Sequence, residues 1–125
     1  MKTFLFLTTY FVFIWKIPCL CIKGGCSNGK GLFRYSNGDY YEGEWKNNKA
    51  NGFGILYYSG GEEYFGQWKD GNAEGVGVFY FKEGGKYSGE WKKSRAHGFG
   101  TLYDRYERVI FSGQWQNGKK QKKKI

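Results

Sequence analysis

Two stretches of this 125-residue chain carry most of the spacing of a phosphate-binding loop: GGCSNGK, from Gly24 to Lys30, and GQWQNGK, from Gly113 to Lys119. Such a loop cradles phosphates with its amides and lysine, and needs Ser or Thr in the eighth place for the magnesium ion. That place holds Gly31 in one stretch and Lys120 in the other. The pairs Gly52 with Gly54, Gly75 with Gly77 and Gly98 with Gly100 begin a dinucleotide fingerprint. Its third glycine is replaced by Tyr57, Tyr80 and Tyr103, and no helix is expected to follow. Cys19, Cys21 and Cys26 lie far along the chain from His97, the one histidine. Three thiols without a fourth ligand fit a zinc site poorly, so they read as incidental cysteines, with metal, disulfide and acylation as lesser alternatives. The carboxylates Glu42 with Glu44 and Glu62 with Glu63 stand among lysines and read as solvated charge. No nucleophile, base and orienter converge. The expectation is no enzyme activity, no cofactor and no metal.

What the spacing does show is repetition. Tyr41, Gly43 and Trp45 recur as Tyr64, Gly66 and Trp68, as Tyr87, Gly89 and Trp91, and as Phe111, Gly113 and Trp115, so the tryptophans are 23, 23 and 24 residues apart. Seven residues beyond each of the first three tryptophans comes one of the Gly-x-Gly pairs, and IKGGCSNGKG upstream aligns as a decayed copy, with Gly29 and Gly31 in the paired places. A fixed period in this range marks a repeat array. His97 occupies the variable polar place held by Asn51 and Glu74 in the sister units, which argues against a catalytic role.

Within a unit, Tyr-x-Gly-x-Trp alternates with period two, so the rings share one strand face and Glu42 and Glu44 the other. The pattern predicts one aromatic face and one wet face. NN, DG, KS and NG follow the four tryptophans, and Asn37 with Gly38, Gly60 with Gly61 and Gly84 with Gly85 lie between units. Most of these are hairpin turns, because Gly and Asn tolerate positive φ. Glycines recurring inside strands imply that a neighbouring ring or backbone takes the space a Cβ would fill.

Taken together, Tyr-x-Gly-x-Trp-x-x-Gly-x-x-x-Gly-x-Gly resembles the MORN repeat (membrane occupation and recognition nexus). The departures are Asn48 and Ser94 in place of the first turn glycine, kept at Gly71 and Gly118, and a spacer DRYERVI with an extra residue and no glycine. Ser94 puts the turn type in question there. The resemblance implies an all-β, elongated single-layer antiparallel sheet of stacked β-hairpins, used for protein contacts, dimerisation or membrane tethering. The division expected is a hydrophobic segment over 1–17, an array over 18–118 and a basic tail over 119–125. The array comprises a degenerate unit 18–40, units 41–63, 64–86 and 87–110, and a half unit 111–118. Roughly nine strands at about 4.8 Å make a ribbon on the order of 40 Å long.

The formal charge of +9 is unevenly placed along the chain. From Asp39 to Gln116 there are ten Lys or Arg against eleven Asp or Glu, a balance of −1. The excess lies at the ends, and Lys119, Lys120, Lys122, Lys123 and Lys124 form a tail expected to be disordered and to contact anionic phospholipid. FLFLTTYFVFIW, between Lys2 and Lys16, has the length of a signal-peptide core and is short for a membrane span. Signal peptide, anchor and buried cap all fit it. Charge bias around it favours membrane association with the repeats in the cytosol, a secreted protein being the alternative. The function expected is a non-enzymatic scaffold that tethers proteins at a membrane or cytoskeletal surface, with a homodimer left open. The alternative is an accessory module acting in trans with a phosphoinositide kinase or methyltransferase. Nucleic acid is not an expected partner, because the body is neutral and its rings are committed to packing.

Overall fold

A computed structural model describes residues 19–122. Ten strands follow one another, in chain order, through a single antiparallel sheet: β1 (Leu20–Gly24), β2 (Gly29–Arg34), β3 (Tyr40–Lys46), β4 (Lys49–Tyr57), β5 (Glu63–Lys69), β6 (Asn72–Tyr80), β7 (Lys86–Lys92), β8 (Arg95–Tyr103), β9 (Val109–Gln116) and β10 (Lys119–Lys120). The tenth strand corrects the expected disorder of the tail. Lys119 and Lys120 pair with Gln116 and Trp115, because the turn at Asn117 and Gly118 closes like the earlier ones and leads the chain back along β9. Lys122 is exposed. Lys123, Lys124 and the hydrophobic segment 1–17 lie outside the described residues.

The two ribbon edges are built from different turns. On one edge, two-residue turns carry positive φ at both central positions: Asn47 and Asn48, Asp70 and Gly71, Lys93 and Ser94, Asn117 and Gly118. This is the twist that suits a tight hairpin, and Ser94, at φ 62°, adopts it like the others. A left-handed non-glycine residue costs roughly 1–2 kcal/mol. Around Ser94 the cost is offset by bonds to the preceding turn region: Ala73 donates its N–H to Ser94 Oγ at 3.1 Å, and Lys93 donates its own to Glu74 at 3.0 Å. On the other edge, longer loops close with Tyr35–Asp39, Tyr58–Glu62, Phe81–Gly85 and Asp104–Arg108 backbone bonds. The glycine-free last loop keeps this form with Glu107 at φ 63°, and the extra spacer residue is absorbed as a register shift beside Tyr103.

In each full unit the second strand carries a bulge. Gly43 pairs with Gly54, yet Trp45 pairs with Ala50, so one residue of β3 faces three of β4. Gly52, at φ 98°, makes the bend, and Glu44 accepts the freed N–H of Phe53. Gln67 does the same for Val76 at 2.8 Å, and Glu90 for Phe99. Glu44 is therefore a structural acceptor, not a merely solvated charge.

The core is one face of the ribbon, holding Tyr41, Trp45, Tyr64, Trp68, Tyr87 and Trp115 with the small residues Ala50, Ala73 and Ala96. The opposite face is less wet than its glutamates suggest. Phe53, Phe65, Val76 and Phe99 stand on it, each at least half exposed, because a single-layer sheet gives them nothing to pack against.

Candidate functional site

Glycines run in a row across eight strands: Gly31, Gly43, Gly54, Gly66, Gly77, Gly89, Gly100 and Gly113 are cross-strand partners in succession. The missing Cβ atoms make room for rings. A Cβ on Gly66 would stand 2.5 Å from Gly77 Cα and 2.7 Å from the Tyr64 hydroxyl. Over this floor each tyrosine donates its O–H to the carbonyl of the residue just before its own unit's tryptophan: Tyr41 to Glu44, Tyr64 to Gln67 and Tyr87 to Glu90, all at 3.0 Å. Each indole N–H reaches a glycine carbonyl of the preceding unit, Trp45 to Gly31, Trp68 to Gly54, Trp91 to Gly77 and Trp115 to Gly100, at 3.0–3.2 Å.

The rings meet edge to face in an unbroken series, Phe33, Trp45, Tyr41, Trp68, Tyr64, Trp91, Tyr87, Trp115 and Phe111, with centroids 4.9–5.6 Å apart. Burial holds the Tyr41 and Tyr64 hydroxyls far above the ordinary tyrosine range and pushes Tyr87 up to about 12, with Glu90 adding to the effect there. These tyrosines are neutral structural donors, not proton-transfer groups.

The repeat-defining residues are thus brought together as one continuous surface. Beside the ring series runs an apolar groove of about 440 Å³, with Tyr64, Trp68, Trp91 and Leu102 in its wall and Tyr58 and Phe81 toward the long-loop edge. Arg95 stands at its other rim. A second hollow continues it toward the N-terminal end, between Phe33, Tyr35 and Trp45, with Lys49 at the rim.

The residues with chemical spacing are scattered by comparison. Gly24 to Lys30 forms the β1–β2 turn and Gly113 to Lys119 the β9–β10 hairpin, so neither leads into a helix. Among the described residues no three His, Cys, Asp or Glu side chains are placed to hold a metal. His97, half-buried on β8, has its Nδ1 buried without a partner, whereas Asn51 and Glu74 at the sister places bond the following turn. The reading of the cysteines as incidental is corrected: Cys21 and Cys26 form a disulfide that closes the β1–β2 turn, leaving Cys19 as an exposed thiol. The turn brings the two within bonding reach, a proximity that a spacing of five residues does not announce.

Sequence reasoning missed the bulge acceptors, although the signal was present. The place before each tryptophan holds Glu44, Gln67, Glu90 and Gln114, always a side chain with a carboxyl or amide oxygen.

The MORN repeat profile matches this chain in five consecutive segments, residues 24–40, 41–63, 64–86, 87–105 and 111–121. No curated protein matches it. The matched segments coincide with the hairpins, the glycine row and the ring series described above, and a MORN repeat is in general a non-catalytic interaction repeat. The chain belongs to the MORN repeat family.

Proposed function

We propose that this protein is a non-enzymatic interaction ribbon whose groove holds an apolar segment of a partner protein, and that it serves to tether that partner at a membrane surface. The observation that carries the reading is the groove itself: a trough floored by locked aromatic rings and open to solvent. Rigid aromatic anchors bind with little loss of side-chain entropy. The chemistry of the occupant follows from the walls. An apolar stretch would cover the rings, and an acidic residue beside it would meet Arg95 or Lys49 at the rim.

Peptide selection against the full chain tests this. Peptides with an apolar core and an acidic flank should be enriched, and Phe81→Glu should weaken their binding about tenfold or more, since this exposed ring contributes to recognition rather than to folding. Selected peptides indifferent to Phe81→Glu but sensitive to Phe53→Glu, on the opposite face, would refute the groove as the docking site.

A further inference from the structure

The near-neutral body conceals a segregation of charge that appears only when the strands are laid side by side. At the short-turn edge Lys46 stands opposite Lys49, and Lys92 stands opposite Arg95. Like charges directly opposite one another destabilise a sheet, so stability gives no reason for these pairs. Lys69 and Lys119 face only the neutral Asn72 and Gln116. All six cations are exposed. Among the described residues the two ion pairs, Lys86–Glu107 and Arg108–Asp104, both lie on the long-loop edge, and none of the short-turn cations is in one. The nearby carboxylates Asp70 and Glu74 are engaged by Asn51 and the Lys93 backbone N–H.

We infer that this edge is a binding site for a linear sulfated polysaccharide. Each unit contributes two strands, so successive short turns lie about 9.6 Å apart, and the row from Lys46 on β3 to Lys119 on β10, seven strand spacings, spans about 34 Å. A periodic line of unpaired cations along one edge suits a stiff polyanion with regularly spaced charges. The ladder holds that line rigid: Asn48, Gly71, Ser94 and Gly118 each donate a backbone N–H to the preceding unit, at 2.9–3.0 Å. The turn tips are Asn47 and Asn48, Asp70 and Gly71, Lys93 and Ser94, and Asn117 and Gly118. They offer amide and hydroxyl groups and the Lys93 ammonium to sulfates and sugar hydroxyls, with Asp70, held by Asn51, as their one carboxylate. The tips themselves carry no apolar side chain to enter a bilayer and no ring on which a base could stack, the exposed Phe53 and Phe99 lying back on the sheet face.

The Cys21–Cys26 disulfide supplies an independent reason for the choice of ligand. Disulfides persist in oxidising surroundings, outside the cytosol and nucleus, where sulfated polysaccharides are encountered and nucleic acids and the acidic inner leaflet are not.

The test uses the full chain, a sulfated heparin oligosaccharide as probe, and a series of salt concentrations. Hyaluronan, which carries carboxylates only, phosphatidylserine vesicles and a single-stranded oligonucleotide serve as comparators. The variant K46Q/K49Q/K69Q/K92Q should lose about tenfold or more in affinity for heparin near 0.15 M salt, with a shallower salt dependence. The same variant without ligand should melt at a higher temperature in low salt, because the opposed cations no longer repel. A charge-matched control away from the edge, K82Q/R105Q/R108Q/K122Q, should keep most of the affinity. Equal losses in both variants would reduce the edge to unspecific charge and overturn the inference. Tighter binding of vesicles or oligonucleotide than of heparin at the same salt would overturn it in favour of a membrane or a nucleic acid.

Discussion

Tyr41 and Trp68 belong to successive repeats, yet their rings meet edge to face with centroids 5.2 Å apart. Trp68 also donates its indole N–H to Gly54, in the same unit as Tyr41. Each tryptophan is therefore a joint between two units as well as a core residue of its own, which makes stability nearly one-dimensional along the ribbon.

Trp68→Ala should destabilise the protein by about 3–5 kcal/mol in a urea titration. Trp68 and Trp115 are equally buried, at 8% exposure, so burial alone predicts equal losses for the two. The joint model predicts a smaller loss for Trp115→Ala, because only the two-residue β10 follows it. Identical midpoint shifts would rule out the one-dimensional account.

Gly66→Val should cost about 3 kcal/mol or more, since its Cβ would collide with Gly77 Cα and with the Val76 carbonyl oxygen at 2.6 Å, neither of which can yield. At Gly60 the added atom would meet only the Glu62 carboxylate, the end of a flexible chain. Gly60→Val should be nearly silent. Denaturation of the two variants at a common midpoint would contradict the role assigned to the glycine row.

Alkali should unfold the ribbon through its tyrosines. Folded Tyr87 ionises near 12, and Tyr41 and Tyr64 higher still, all above the ordinary value of about 10 in the unfolded chain. The native state therefore holds protons that the unfolded state releases, so the stability is fully present below about pH 10 and is lost as pH rises through the folded values. Tyr64→Phe should cost about 1 kcal/mol at neutral pH, through loss of the bond to Gln67, while making the alkaline fall less steep. Circular dichroism melts at several pH values would check both, and a fall as steep as in the wild type would exclude the buried hydroxyls as its cause.

Reduction of Cys21–Cys26 should loosen the N-terminal end alone. Closing so short a loop is worth about 2 kcal/mol by the chain-entropy argument, and β1 pairs only with β2. Hydrogen exchange should show faster exchange of the β1–β2 amides after reduction, with β5 and β6 unchanged. Protection lost evenly across the sheet would show that the disulfide governs the whole array.

The order of the hairpins, the choice of core face and the identity of the rings were legible in the sequence, because each is a local matter. A period of two fixes which side chains share a face, and Asn, Asp or Gly fixes where the chain turns back. The repeat supplies the same instruction several times, so decay at Asn48, Ser94 or DRYERVI did not obscure it. What only the tertiary structure decided concerns residues distant in the chain or altered in register. The bulge at Gly52 gives Glu44 a backbone amide to hold, and strand pairing beyond Gly118 recruits Lys119 and Lys120 into the sheet. The turn at Cys26 brings it back to Cys21, and cross-strand register sets Lys46 against Lys49 and Lys92 against Arg95. A charge count along the chain averages such neighbours with the acids between them, whereas a sheet lines them up on one edge, and electrostatic energy depends on distance in space.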